Sequence, residues 1–367
     1  YAKQPGTKEG IGDYIGMEAS VPAGVSEYEG IKLTFEHSAA IVKLVLNNDD
    51  FKNKKVTVRL YADGLMPEDN MIATEPIDAD ASGSVTAYIA IPASGMALKN
   101  CTIYASTDAG VYETSLSDKT LSAGRLYRIS KNNLIESDSP ISAKLPSGTV
   151  FNSAAEKFLD DNPALKRIRF IAASSTTGTQ ISTCNAYMVA NGDWLEIHTP
   201  ALEYEFNKTC SFMFSSLTQI IEIQFGHNIN TSLVEDMSYM FDSCYSLMSM
   251  DIERFDTSSA TTMNGMFGLC LSISSLELDG FDTSKVTGMQ SMFYNCCSLR
   301  SLNLESFSFN DQCNFRNMFL ELAADVSNKP IEVVVTQGGY DILSKASTGI
   351  NSNYARLVVK NIPQAVP

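Results

Sequence analysis

The chain has 367 residues, 44% hydrophobic and 19% charged, a composition of globular proteins long enough for more than one core. Its 42 acidic residues against 27 basic ones leave a net charge of −15, which disfavours nucleic acid and anionic membrane surfaces as partners. Three histidines, His37, His198 and His227, stand far apart in sequence, poor material for a histidine metal site or a catalytic triad. No run approaches the roughly 20 apolar residues of a membrane-spanning helix, so no transmembrane segment is expected. The chain opens at Tyr1 without Met and is read as processed, so that a signal peptide or lipid-bearing N-terminus would precede it.

In chain order, residues 31–133 carry short alternating runs separated by turn residues. They include Ile31–Phe35, Val56–Leu60, Val85–Ile91, Cys101–Tyr104, Val111–Thr114 and Arg125–Ile129. Short strands at this spacing, without a helical period, predict an all-β sandwich over 1–133. Residues 134–149, rich in Ser, Pro, Asn and Gly, read as a linker. Residues 150–209 read as an atypical cap. A degenerate unit there holds Phe158, Leu165, Ile168 and Phe170, and a hairpin over Ala186–His198 turns at Asn191-Gly192-Asp193.

Residues 210–319 form repeats, with a period of 26 from Met237 onward and a step of 27 from Cys210 to Met237. Met237, Met240, Phe241, Cys244 and Leu247 recur as Met263, Met266, Phe267, Cys270 and Ile273, then as Met289, Met292, Phe293, Cys296 and Leu299. Each unit continues with an alternating triplet and a phenylalanine: Met250-Asp251-Ile252 with Phe255, Leu276-Glu277-Leu278 with Phe281, Leu302-Asn303-Leu304 with Phe307. A further start lies at Phe315, and an upstream one at Cys210. The i, i+3, i+4, i+7 spacing predicts a short helix in each unit, and the triplet a short strand. Stacked units of that kind predict an α/β right-handed solenoid with a parallel sheet on its concave side. Residues 320–367 read as the closing cap, with strands at Ile331–Val335 and Ala355–Val359.

The pattern Met-x-x-Met-Phe-x-x-Cys-x-Ser-Leu-x-x-Leu-x-Leu-x-x-Phe-Asp-Thr-Ser resembles the BspA-like leucine-rich repeats of bacterial surface proteins. Leu33-Thr34-Phe35-Glu36-His37 and Leu121–Tyr127 resemble the fimbrillin-like (transthyretin-like sandwich) family of Bacteroides-type surface and pilus proteins. The resemblances imply a leucine-rich-repeat domain over 150–367 behind a fimbrillin-like domain over 1–133. They also imply a secreted, lipid-anchored protein of the cell surface or outer membrane, with an adhesive role.

On the expected sheet face, the outward positions are Glu222 and Gln224; Ser249, Asp251 and Glu253; Ser275, Glu277 and Asp279; Ser301, Asn303 and Glu305. This is a candidate surface for a host or bacterial surface protein or for a glycan. A weak calcium site and plain solubilising charge are the alternatives. Residues 210–319 hold 12 Asp and Glu against 4 Lys and Arg, a net −8. Cys244, Cys270 and Cys296 occupy one repeat position. A disulfide or metal ladder is open to them, but packing as small buried thiols is preferred because no Cys-x-x-Cys spacing exists. The methionine column reads as core. No phosphate loop, nucleophile elbow or His-Glu-x-x-His motif is present, so neither catalytic residues nor a cofactor are expected. The expected function is non-enzymatic adhesion. The rivals are a pilus subunit, with other pilus subunits as partners, and a glycan-binding lipoprotein of a nutrient-uptake system.

Overall fold

The computed structural model describes residues 3–4, 17–20, 34–37, 39–63, 71–74, 76–92, 97–122, 126–132, 134–137, 140, 142–172, 177–226, 228–322, 331–346 and 355–359. The chain forms two compact units, Tyr1–Ile141 and Ser142–Pro367.

In the N-terminal unit the alternating runs from Val56 onward become strands of two sheets, while Thr34–His37 pairs with Met17–Ser20 in a separate one. Ala39–Asn47 pairs antiparallel with Ser84–Pro92 and, on its other edge, parallel with Leu126–Asn132. Lys55–Asp63 pairs antiparallel with Ala97–Ser106, which continues to Val111–Ser115 and Ile135–Glu136. Alternation sends Val42, Leu44 and Leu46 from one sheet and Val56, Val58 and Leu60 from the other into one core. This arrangement is compatible with a β-sandwich. Several residues that carried the fimbrillin resemblance, Leu33, Gly124 and Arg125 among them, lie outside the described residues.

The stretch read as a linker carries structure in both units. Leu134 is buried in the first core, and Ile135–Glu136 closes a sheet. Ser142–Lys144 pairs in parallel with Glu203–Glu205 of the second unit. The helix Gly148–Asp161 follows, and its residues Phe151, Ala155 and Leu159 meet the second core on one face.

The expected α/β leucine-rich-repeat solenoid is corrected by the structure. No α-helix lies in 209–322, and the described part of the chain has only two, Gly148–Asp161 and Gln337–Leu343. The expected single parallel sheet is replaced by separate sheets. Glu222–Gln224 and Ser249–Met250 end a six-stranded sheet, while Ser301–Asn303 pairs with Ile331–Val335 in a three-stranded one. Leu276–Leu278 is in no strand.

The expected helices are chains of tight turns. In one unit Met240, Asp242 and Cys244 donate back to the carbonyls of Met237, Tyr239 and Phe241 at 3.2–3.3 Å. The intervening Met237, Tyr239, Phe241 and Ser243 instead donate to Thr262, Asn264, Met266 and Gly268 of the next unit, at 2.7–3.0 Å. Two residues per unit take left-handed backbone: Tyr239 and Ser243 (φ 57° and 60°), then Gly265 and Leu269 (φ 58° and 59°). An α-helix excludes that conformation, whereas the third residue of a type II turn requires it. Turns and helices both bring i, i+3, i+4 and i+7 to one side, so the apolar spacing alone does not separate them.

Isolated parallel bridges join Thr209, Asp236, Thr262, Gly288 and Asn314, keeping neighbouring repeats in register. Register brings like side chains together. Phe214, Phe241, Phe267, Phe293 and Phe319 form a ladder of near-parallel rings at 5.4–6.0 Å. Met213, Met240, Met266, Met292 and Met318 are all buried. Thr257 Oγ1 donates to Asp282 O (3.0 Å) and accepts from Asp282 N (2.8 Å), and Thr283 repeats this with Ser308. These buried hydroxyls therefore link adjacent repeats instead of lying unpaired.

Candidate functional site

The proposed acidic positions do not form one sheet face. Glu222, Gln224 and Ser249 belong to the six-stranded sheet, Ser275, Glu277 and Asp279 to an irregular segment, and Ser301 and Asn303 to the separate three-stranded sheet. Asp251 is turned inward against the preceding repeat. Its two oxygens accept from Phe225 N (2.6 Å) and Gly226 N (3.1 Å). Burial pushes its carboxyl up to about 7, against the two N–H bonds that favour the charged form. Asp251 is thus a structural clip between repeats. Asn303 donates to Asp279 Oδ1 (3.0 Å) and accepts from Glu305 N (3.2 Å).

What survives as a surface is the row Glu253, Asp279 and Glu305, spaced 26 residues apart, with Glu277 beside it. Glu253, Glu277 and Asp279 are exposed, and Glu305 is half-buried. Adjacent repeats run close here. A Cβ on Gly280 would lie 2.9 Å from Glu253 O, and Ser306 Oγ donates to Leu278 O (3.0 Å). Among the described residues no ion pair involves Glu253, Glu277 or Asp279, and no group of three metal-ligating side chains is assembled. A calcium site on this face therefore has no ligand set among them.

None of the eight cysteines is in a disulfide. Cys244, Cys270 and Cys296 are buried, and each donates to the carbonyl of a phenylalanine one repeat back, at 3.0–3.2 Å. Burial pushes the Cys244 thiol up to about 12, the direction of an inert packing thiol.

The sequence reading missed a second constellation, on the outer face of the six-stranded sheet. Register aligns Trp194, Arg167, Glu222 and Ser249 in one row, and Glu196, Arg169 and Gln224 in the next. His198 lies opposite Ile171. The hairpin Tyr187–Asn191 and Trp194–Thr199, turning at Gly192 (φ 61°), places Asn191 across from Trp194. Glu196 is buried at the centre. Its Oε1 accepts from Arg169 Nε (3.0 Å), Arg169 Nη2 and Asn191 Nδ2 (2.9 Å), and its Oε2 lies 2.7 Å from His198 Nε2. Burial raises its pKa, but these partners outweigh burial and hold it below the usual value. Arg-x-Arg and Trp-x-Glu-x-His, each alternating within a strand, were the available signals. Only the parallel pairing of Arg167–Ala172 with Trp194–Thr199 brings them together. His227 lies outside the described residues.

Compared with known proteins, residues 208–332 match the family described as "Mycoplasma protein of unknown function, DUF285". No curated protein and no solved structure matches the chain significantly. Neither a fimbrillin-like nor a leucine-rich-repeat family is matched, so both resemblances drawn from the sequence are withdrawn, and with them the leucine-rich-repeat assignment of 150–367. The matched stretch nearly coincides with the 26-residue repeats. Among the described residues no helix is long and apolar enough to cross a membrane.

Proposed function

We propose that the chain is a non-enzymatic binding protein of a cell surface, and that its repeats present an acidic row to a basic protein partner. The observation that carries this reading is the recurrence of Glu253, Asp279 and Glu305 at one repeat position on adjacent, register-locked repeats. A pre-ordered backbone of this kind lets several carboxylates meet a partner with little ordering cost. Glu253, Glu277 and Asp279, exposed and in no ion pair among the described residues, are a mild liability as like charges in the free chain, which a cationic partner relieves. Location at a cell surface is part of this proposal. Protease accessibility on intact cells tests it.

The binding test uses the full chain immobilised against an oligolysine peptide and a panel of basic extracellular-matrix proteins. The triple variant Glu253→Gln, Glu277→Gln, Asp279→Asn should lose at least about tenfold in affinity, and wild-type binding should weaken steeply with salt. Binding that is unchanged in the triple variant, or indifferent to salt, sinks the acidic row. Asp251 is left intact because its role is structural.

One observation favours a second reading, a subunit that exchanges a strand with its neighbours. Leu126–Asn132 is an edge strand with alternating exposure, running parallel to Ala39–Asn47. Oligomers forming after proteolytic trimming of the N-terminus would support it. A chain that stays monomeric would count against it.

A further inference from the structure

The face around Trp194 holds all three buried side-chain polar atoms that lack a hydrogen-bond partner among the described residues: Arg167 Nε, His198 Nδ1 and Gln224 Oε1. They sit on three adjacent strands of one sheet face. Leaving a buried polar atom unsatisfied costs about 1–3 kcal/mol, so three on one face mark a surface where a further partner has hydrogen bonds to gain.

The chemistry of the partner follows from what is already spent. Arg169 gives two N–H bonds to Glu196. Arg167 Nε faces Asp193 Oδ2 at 3.5 Å and Glu222 Oε2 at 3.4 Å, ion pairs without hydrogen-bond geometry. Gln224 has one end of its amide on Glu222 (2.8 Å), which leaves the carbonyl. Two arginines are thus balanced by Asp193, Glu196 and Glu222, and the face has no positive charge to hold an anion. What it offers is a donor at Arg167, an acceptor at Gln224 and an acceptor at His198 Nδ1 when Nε2 carries the proton toward Glu196. Beside them lies the indole of Trp194, with the Arg167 and Arg169 guanidinium carbons 5.3 and 4.8 Å from its ring.

An extended peptide is a poor match, because these residues lie on the face of a sheet whose edges are Thr179–Gln180 and Ser249–Met250, away from Trp194. A polyol ring carries neighbouring hydroxyls that each donate and accept, and an apolar C–H face for an indole. The Arg167 side chain is 37% exposed, so an arriving hydroxyl can reach its guanidinium.

We propose that this face is a shallow binding site for a neutral saccharide, with Trp194 as the stacking platform and Arg167, Gln224 and His198 as hydroxyl partners. Glu196 is a positioning residue that holds Arg169 and His198. The site is separate from the acidic row and does not depend on it.

Trp194 is the only tryptophan of the chain, so its fluorescence reports this face alone. The full chain is titrated with maltoheptaose, cellohexaose, xylohexaose and mannohexaose to millimolar concentration, with an oligogalacturonate as the charged comparison and calorimetry in parallel. At least one neutral oligosaccharide should give a saturable change that salt does not alter. Gln224→Ala and Arg167→Ala should each weaken it by about tenfold. Trp194→Ala should abolish the calorimetric signal, with the melting temperature recorded for every variant and Trp194→Phe retaining part of the affinity. No saturable signal with any of the four sugars overturns the proposal. So does tighter binding of the oligogalacturonate, or neutral-sugar binding that survives Trp194→Ala in a folded chain. Salt-sensitive loss of a basic protein in the acidic-row variant, with sugar binding intact, separates the two sites.

Discussion

In the N-terminal unit a strand such as Ala39–Asn47 is paired along its length on one edge and over seven residues on the other. In the repeats only every second N–H crosses to a neighbour, and the rest fold back within their own turns. The first arrangement tolerates sequence variation along each strand, because any residue of the right polarity keeps the ladder. The second fixes residue type where a buried threonine or a stacked ring has a partner one repeat away, while an equivalent left-handed position holds Tyr239, Gly265 and Ser291 in turn. Strict periodicity is therefore the mark of the second unit, and simple alternation that of the first.

The largest test of this contrast is Phe267→Ala. It removes a fully buried ring from the middle of the ladder and should cost about 3–5 kcal/mol in the calorimetric transition of the C-terminal unit, with the N-terminal transition unmoved. Next, Thr257→Val leaves the Asp282 N–H and carbonyl without their partner and should cost about 1–3 kcal/mol. The matching change on a half-buried strand position of the first unit, Thr86→Val, should stay within about 0.5 kcal/mol. Equal effects would show that the repeats gain nothing from their threonines. Gly265→Ala should cost on the order of 1 kcal/mol, because φ is 58° and a Cβ would lie 2.5 Å from the Tyr239 ring.

A further effect concerns pH. The Asp251 carboxyl is raised in the folded chain to about 7 from 3.8. Between these values the unfolded chain has released the proton while the folded one retains it, so stability falls as pH rises through this window. Asp251→Asn should flatten this slope in urea titrations. Glu196 acts in the opposite sense, its depressed pKa contributing stability that is lost as pH falls through the folded value. Least costly to test, Cys244, Cys270 and Cys296 should resist a thiol reagent in the native chain, while denaturation without reductant should release all eight thiols. Four or fewer would mean disulfides are present.

The sequence by itself determined the 26-residue period, the apolar positions that become core, the hairpin turning at Gly192 and the strands Ile331–Val335 and Ala355–Val359. Each is written in local polarity and turn chemistry, and burial follows from both. Tertiary structure decided whether Met263, Met266, Phe267 and Cys270 form a helix or turns. That choice depends on whether the N–H of Phe267 finds its acceptor within its own unit or at Met292 of the next repeat. It also decided that Asp251 serves the backbone and that Arg167, Arg169, Trp194 and Glu196 converge. Hydrogen-bond partners 25 or more residues apart leave no trace in a local pattern, because only the parallel register of neighbouring strands and repeats brings them within reach.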